Sequence, residues 1–376
     1  MMKANTMTLA GEKPLEALFS PLTQWYRANA RPLPWRENPT PYHVWISEVM
    51  LQQTRIEAVR PYYTRFLLDA PDIRALAALS DERLMKLWEG LGYYSRARNL
   101  KRAAVSLVER HDAELPCDYA ALRALPGVGD YTAGAIASIA FDLPTPAVDG
   151  NVLRVLCRLT ADRSDVLAPV TKKRILDRLA SLYKSCCTQA GDAAALTQGL
   201  MELGEVVCLP NRAPHCEHCP LAELCRAKEE GRYIEIPFRS AKKERKVSHK
   251  LVLLLQDDTG RFAIRRRPAD GLLGGLWELP HIDLKTPHPN AQEVLDRLAR
   301  EFCQENGLRT AESVALPQAK HIFTHLTWYM QGLYINVTPT KKENGELVFV
   351  SPELLESQYA LPAAFAAYRR VILSKQ

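Results

Sequence analysis

Apolar residues recur at three- and four-residue spacing through most of the first 230 positions, the period of helices that each bury one face. That pattern predicts helices over Leu15–Ala28, Pro41–Ala58, Glu82–Trp88, Arg96–Arg110, Tyr131–Phe141 and Val152–Leu159. Short turns rich in Gly and Pro separate them, at Gly90–Gly92, Pro126–Gly129 and Leu143–Pro146. Beyond Arg239 the period shortens. Lys250–Gln256, Arg261–Arg266, Leu326–Val337 and Glu346–Val350 read as strands, the first two joined in a hairpin through Asp257–Gly260. Two amphipathic helices, Ala291–Glu305 and Ala360–Leu373, accompany them. The expected organisation is a mainly α part over 12–230, a basic linker over 231–249 and an α+β domain over 250–376.

Composition narrows the class. The chain has 376 residues, enough for two or three domains with their own cores. With 47% hydrophobic and 24% charged residues, wholesale disorder and collagen-like repeats are excluded. No apolar run reaches the ~18 residues of a membrane span, and Met1–Gly11 lacks the apolar core of a secretory signal. The expectation is a soluble, monomeric, cytoplasmic protein with no membrane partner. A formal charge of +6 is compatible with a polyanion. Six of the twelve residues from Arg239 to Lys250 are Lys or Arg, either a solvated linker or a strap along a phosphate backbone.

Three features carry chemistry. Four of the nine cysteines, Cys208, Cys216, Cys219 and Cys225, crowd into one stretch, which in a reducing compartment reads as a metal site. Only Cys216 and Cys219 form a C-x-x-C pair, whereas zinc knuckles usually present two. Uneven spacing in one compact loop suits the corners of an iron–sulfur cubane, with four free thiols as the bland alternative. The second feature is Leu125-Pro-Gly-Val-Gly-Asp-Tyr-Thr132 before an apolar helix. Gly127 and Gly129 leave bare backbone N–H groups at a helix N-terminus, a grip for DNA phosphate. An ordinary helix–helix turn would need only one of them.

The third feature is a pair of acids. Glu48 has Val44, Trp45, Leu51 and Gln52 as helical neighbours, so its carboxyl is expected to be desolvated and raised in pKa, fit for general-acid work. Its bland alternative is a helix Glu paired with a base at the surface. Asp149 precedes the Val152–Leu159 helix and could be no more than an N-cap. One protonated and one ionised carboxyl are what cleavage of a glycosidic bond requires.

Taken in order, the strings Leu33-Pro-Trp-Arg36, Ser47-Glu-Val-Met-Leu-Gln-Gln-Thr54, Trp88-Glu-Gly-Leu-Gly-Tyr-Tyr-Ser-Arg-Ala-Arg-Asn99, Leu125-Pro-Gly-Val-Gly129 and Val148-Asp-Gly-Asn-Val152 closely resemble adenine DNA glycosylases of the MutY type. These belong to the helix-hairpin-helix base-excision superfamily. The resemblance implies a [4Fe–4S] cluster on the four cysteines and removal of adenine paired with 8-oxoguanine or guanine in duplex DNA. It implies that Glu48 protonates adenine, Asp149 stabilises the sugar cation, Asn151 orients the pair and Tyr131 assists. Related endonuclease III enzymes carry a Schiff-base lysine near Tyr131, and Asp130-Tyr131-Thr132 offers no amine, so no efficient strand cleavage is expected. DNA contacts carried over are Arg36, at the adenine pocket, Gln53, Thr54 and Tyr93, with Tyr93 wedged beside the orphaned base. The C-terminal domain resembles the Nudix-related domain of these enzymes, and His321-Ile-Phe-Thr-His325 resembles its lesion-reading loop, through Phe323, Thr324 and His325. Thr324 stands where serine is usual. Thr286, Gln292 and Gln304 depart from the Nudix metal-binding box, so no pyrophosphatase activity is expected. The first cysteine interval is one residue longer than usual. An endonuclease III-like enzyme and a non-catalytic DNA-binding protein are the alternatives.

Overall fold

The computed structural model describes residues 7–241, 244–285, 292–340 and 346–374. Lys242 and Lys243 of the basic tract, Ala291 of the expected helix and Thr286 lie outside the described residues. The chain divides into two compact units: 1–78 with 98–241, and 79–97 with 242–376. The division does not follow chain order, because Leu79–Ala97 packs with the second unit. Among the described residues, no helix is long and apolar enough to cross a membrane.

The first unit is helical. Its helices Phe19–Asn29, Pro41–Leu51, Ile56–Asp69, Asp130–Ile139, Gly150–Leu159, Pro169–Cys186 and Asp192–Val206 lie mostly where apolar periodicity or capping places them. The expected Pro41–Ala58 helix is two. Thr40 caps its start, accepting from the His43 N–H at 3.2 Å with Pro41 at the first position. It stops at Leu51, because Gln53 takes a left-handed conformation with φ 58°. The expected Leu15–Ala28 helix opens as a 3₁₀ turn over Leu15–Leu18 before the α-helix. One core gathers Leu18 and Leu22 with Leu153, Leu156, Leu196, Leu200 and Leu203, seating the Gly150–Leu159 helix on the Asp192–Val206 helix.

The second unit carries a mixed seven-stranded sheet: β1 (Lys246–Gln256), β2 (Phe262–Arg266), β3 (Trp277–Glu278), β4 (His281–Leu284), β5 (Leu308–Ile322), β6 (Leu326–Pro339) and β7 (Leu347–Val350). Its main path runs β3-β2-β1-β6-β5, with β4 paired to β1 and β7 to β2. β1 and β6 run parallel and the other pairs antiparallel. β1 begins at Lys246, so the end of the basic tract is strand. Its apolar run is continuous because both faces are covered. Val252 and Leu254 meet Phe365, Tyr368 and Ile372. Leu251, Leu253 and Leu255 meet Leu295, Ala299 and Cys303 of the Gln292–Glu305 helix. The expected Ala360–Leu373 helix is helical only over Ala366–Leu373, after a 3₁₀ turn at Ala363–Phe365. β5 was not foreseen: most of its residues are polar or exposed, and its order comes from pairing with β6.

Candidate active site and cysteine loop

Glu48 lies on the Pro41–Leu51 helix, which is apolar nearly all round and buried at Tyr42 and from Val44 to Met50. The carboxyl is 7% exposed and faces a cavity of about 350 Å³, within the ~300–1,000 Å³ typical of small-molecule sites. Tyr131, one residue into the Asp130–Ile139 helix, donates its hydroxyl to Glu48 Oε2 at 2.5 Å. Burial raises Glu48 to about 7, and the charge of Asp149 adds to this. The Tyr131 hydrogen bond and the Arg36 guanidinium pull the other way. Burial likewise keeps the Tyr131 phenol protonated, helped by Glu48 and Asp149, so it is a fixed donor.

Asp149 combines both sequence readings. It is the N-cap of Gly150–Leu159, accepting from the Val152 N–H at 2.7 Å through Oδ1, and it lines the same cavity as Glu48. Its Oδ2 accepts from the Asn151 side-chain amide at 3.1 Å. Burial raises its pKa, opposed by the Val152 N–H, by Asn151 and by the Arg154 charge. Both oxygens are thus held by donors that favour the anion, at the positive end of a helix. The cavity therefore presents a carboxyl able to hold a proton at neutral pH beside a second one, also raised by burial, whose oxygens are both held by donors that favour its anion.

Asn151 is itself fixed from behind. Arg154 Nη2 donates to Asn151 Oδ1 at 2.8 Å and to the Gly204 carbonyl at 2.7 Å, and Arg154 Nε to the Cys208 carbonyl at 2.8 Å. This close approach requires glycine at 204, where a Cβ would stand 2.6 Å from Asn151 Cβ.

Arg36, Gln53 and Thr54 also line the cavity. Arg36 does so through a partner that the sequence reading missed. Glu202 is 2% exposed and receives Arg31 Nε at 2.6 Å and Arg36 Nη2 at 2.9 Å. Burial pushes its carboxyl up, but the Arg31 and Arg36 hydrogen bonds outweigh it and hold the group ionised. The signal was present: like Glu48, Glu202 is a lone acid in an apolar helical stretch, Leu196–Leu203. Arg154 carried no comparable signal.

Gly127 and Gly129 lie between the helices Tyr119–Ala124 and Asp130–Ile139. Gly127 has φ 75°, and Gly129 is an N-cap without a side chain, so the first-turn N–H groups of Asp130–Ile139 receive no side-chain cap.

The four cysteines line a smaller cavity of about 30 Å³, and none is in a disulfide. Burial pushes the Cys219 thiol up to about 12, and also raises Cys216 and Cys225. Arg158 Nη1 donates to Cys208 Sγ at 3.3 Å, a donor suited to a thiolate. Four thiols converging on one cavity beside a buried cation fit a group that binds thiolates. No set of three or more His, Cys, Asp or Glu among the described residues is arranged around a single ion.

The remaining expected contacts belong to the second unit. β5 and β6 form a hairpin whose turn is Phe323–His325, closed by the Phe323 N–H donating to the Leu326 carbonyl at 2.8 Å. Phe323 turns inward onto Trp328, with ring centroids 4.9 Å apart, while Thr324 and His325 are exposed. Tyr93 is 45% exposed, and its hydroxyl lies 2.9 Å from Thr324 Oγ1; Tyr94 is core.

Comparisons with known proteins agree with this architecture. Residues 46–183 match the HhH-GPD superfamily of base excision DNA repair proteins, and residues 251–370 match the NUDIX domain. The chain is 35% identical to adenine DNA glycosylase of Mus musculus, over 86% of this chain and 72% of that protein. It is 35% identical to the enzyme of that name from Buchnera aphidicola subsp. Schizaphis graminum, covering 85% of this chain and 88% of the relative. Against that of Schizosaccharomyces pombe it is 30% identical, with 96% and 91% covered. It spans 59% of the Arabidopsis thaliana relative and 66% of the human one. With a helical base-excision unit followed by a Nudix-like sheet, and with this identity over most of both chains, the protein belongs to the adenine DNA glycosylase family.

Proposed function

We propose that the protein excises adenine opposite 8-oxoguanine or guanine in duplex DNA by hydrolysing the N-glycosidic bond. The observation that carries this reading is the pairing of Glu48 and Asp149 on one cavity of about 350 Å³, the first raised to about 7 and the second held by anion-favouring donors. The adenine leaves the stack, at a cost of a few kcal/mol, and enters the cavity. Tyr131 occupies Glu48 Oε2, so the transferable proton sits on Oε1 and passes to a ring nitrogen of adenine. Proton transfer makes adenine a neutral leaving group, and the electron pair of the glycosidic bond departs with it. Asp149, fixed by Val152 and Asn151, faces the positive charge that develops on the sugar. Water then completes hydrolysis.

No lysine lines this cavity among the described residues, which supports a monofunctional enzyme with no Schiff-base strand cleavage. Gly127 and Gly129 are assigned to DNA backbone, Gln53, Thr54 and Tyr93 to the opened duplex, and Phe323, Thr324 and His325 to the base opposite adenine. Cys208, Cys216, Cys219 and Cys225 would hold a [4Fe–4S] cluster, which when bound supplies a rigid anchor for the loop carrying Arg212, His215 and Arg226.

The test is excision from a labelled duplex containing A:8-oxoguanine, with and without alkali. Strand breaks that need alkali support the proposal. Direct nicking, or binding without base loss, would overturn it.

A further inference from the structure

One carboxylate ties the Trp88–Tyr94 turn to the rest of the second unit. Glu89 has a side chain 13% exposed, and both of its oxygens are engaged. Oε1 accepts from the Leu361 backbone N–H at 2.9 Å and from Arg369 Nη1 at 2.9 Å. Oε2 accepts from Lys86 Nζ at 2.7 Å, and the same ammonium donates to the Tyr359 carbonyl at 3.1 Å. Two cations and a backbone amide around a single poorly solvated carboxylate form a geometrically exacting set, unlike an exposed ion pair. The donors from 361 and 369 are about 270 residues away in sequence.

Four residues past Glu89 stands Tyr93, a non-glycine residue at φ 48°. The turn fixes it there. The Gly92 carbonyl accepts from the Trp88 indole and from Arg96 Nη2, each at 3.1 Å. The Arg96 guanidinium lies 5.5 Å from the ring centres of both Trp88 and Tyr93. The turn is thus stiff, and where it sits relative to the β5–β6 hairpin depends on what anchors its start. Tyr93 meets that hairpin tip through an exposed hydroxyl contact with Thr324, too weak by itself to set its position.

We propose that Glu89 is a positioning residue for lesion specificity. By clamping the turn to Leu361 and Arg369 it sets the Tyr93 ring against Thr324, and so determines the preference for 8-oxoguanine over guanine opposite the excised adenine. The inference rests on the proposed function and adds to it a residue that touches neither base. Glu89 is not among the residues that line the cavity holding Glu48 and Asp149, so its loss is expected to act on the partner base and spare the chemistry.

The experiment uses the full-length protein and measures single-turnover excision of adenine from A:8-oxoguanine and A:G duplexes. Parent, Glu89→Ala, Arg369→Met and the exposed-surface control Glu305→Ala are compared. The ratio of the two rates is read within one preparation, so loss of folded enzyme cancels. Glu89→Ala and Arg369→Met are each expected to lower the ratio about tenfold, short of the ~100-fold that an ångström of misplacement can cost. Adding Thr324→Ala to Glu89→Ala is expected to lower it no further, because both act on one contact. A ratio within about twofold of the parent in both clamp variants, or full additivity with Thr324→Ala, overturns the inference. A parent with no preference overturns the proposed substrate itself, and this inference with it; a selective parent with equally selective clamp variants overturns the inference alone.

Discussion

Replacing Tyr131 with Phe removes one hydroxyl from the candidate active site and leaves the buried ring in place. In the parent, that hydroxyl donates to Glu48 at 2.5 Å and is the largest influence opposing the effect of burial. A hydrogen bond to a charged group is worth about 1.5–3 kcal/mol. One pKa unit corresponds to about 1.4 kcal/mol, so losing this bond should raise Glu48 by about one to two units above its value near 7. The sign follows from which form is active. On the proposed mechanism excision needs protonated Glu48, so the parent rate should be full below about 7 and fall about tenfold per pH unit above it. In Tyr131→Phe the same fall should begin one to two units higher, and the ratio of mutant to parent rate should climb with pH across that window. Its low-pH plateau can drop through looser placement of the carboxyl; the position of the limb is the readout. The assay is single-turnover excision from an A:8-oxoguanine duplex over roughly four pH units spanning neutrality. A limb that stays put or moves to lower pH would refute the assignment of Glu48 as the acid tuned by Tyr131.

Four further outcomes are expected. Because Glu48 is raised from 4.5 to about 7 in the native state, the folded protein binds that proton more tightly; its contribution is complete below about 4.5, is lost as pH rises to about 7, and amounts to about 3 kcal/mol. Glu48→Gln should remove that pH-dependent part of denaturant-measured stability and abolish excision. Gly127→Ala places a Cβ 2.4 Å from Asn99 Cβ at φ 75° and should cost about 1–3 kcal/mol in thermal unfolding, whereas Gly129→Ala meets no atom within 4 Å and should cost under about 1. Arg154→Met strips donors from the carbonyls of Gly204 and Cys208 and from Asn151, and urea titration should show a loss of about 3 kcal/mol or more. Cys219→Ser should lower iron per chain and visible absorbance in the purified protein; unchanged iron would remove Cys219 from the ligand set.

The two-part organisation was legible in the chain because burial imposes a period: near 3.6 for helices covered on one face, near 2 or continuous for strands. The acid at Glu48 was legible for the same reason, since its neighbours three and four residues away are apolar. The cysteine loop was legible from spacing. The Pro41–Ala58 pattern misled, because apolar periodicity runs through a break set by the single left-handed residue Gln53.

What the linear order could not contain was convergence. Asp149 reads as a helix cap from its local surroundings, and it is one; only packing places that cap on the same cavity as Glu48 and Tyr131. Glu202 with Arg31 and Arg36, and Arg154 with Asn151 and Cys208, are partners 54 to 171 residues apart in all but one case, so no local window pairs them. The union of Leu79–Ala97 with the C-terminal unit has the same origin, its hydrogen-bond partners lying about 270 residues away, whereas β5 was hidden because its order comes from pairing with β6 and not from an apolar pattern of its own. Periodicity records which side of an element is buried. Which elements meet, and hence which side chains exchange protons and charge, is decided only when the tertiary structure closes those distances.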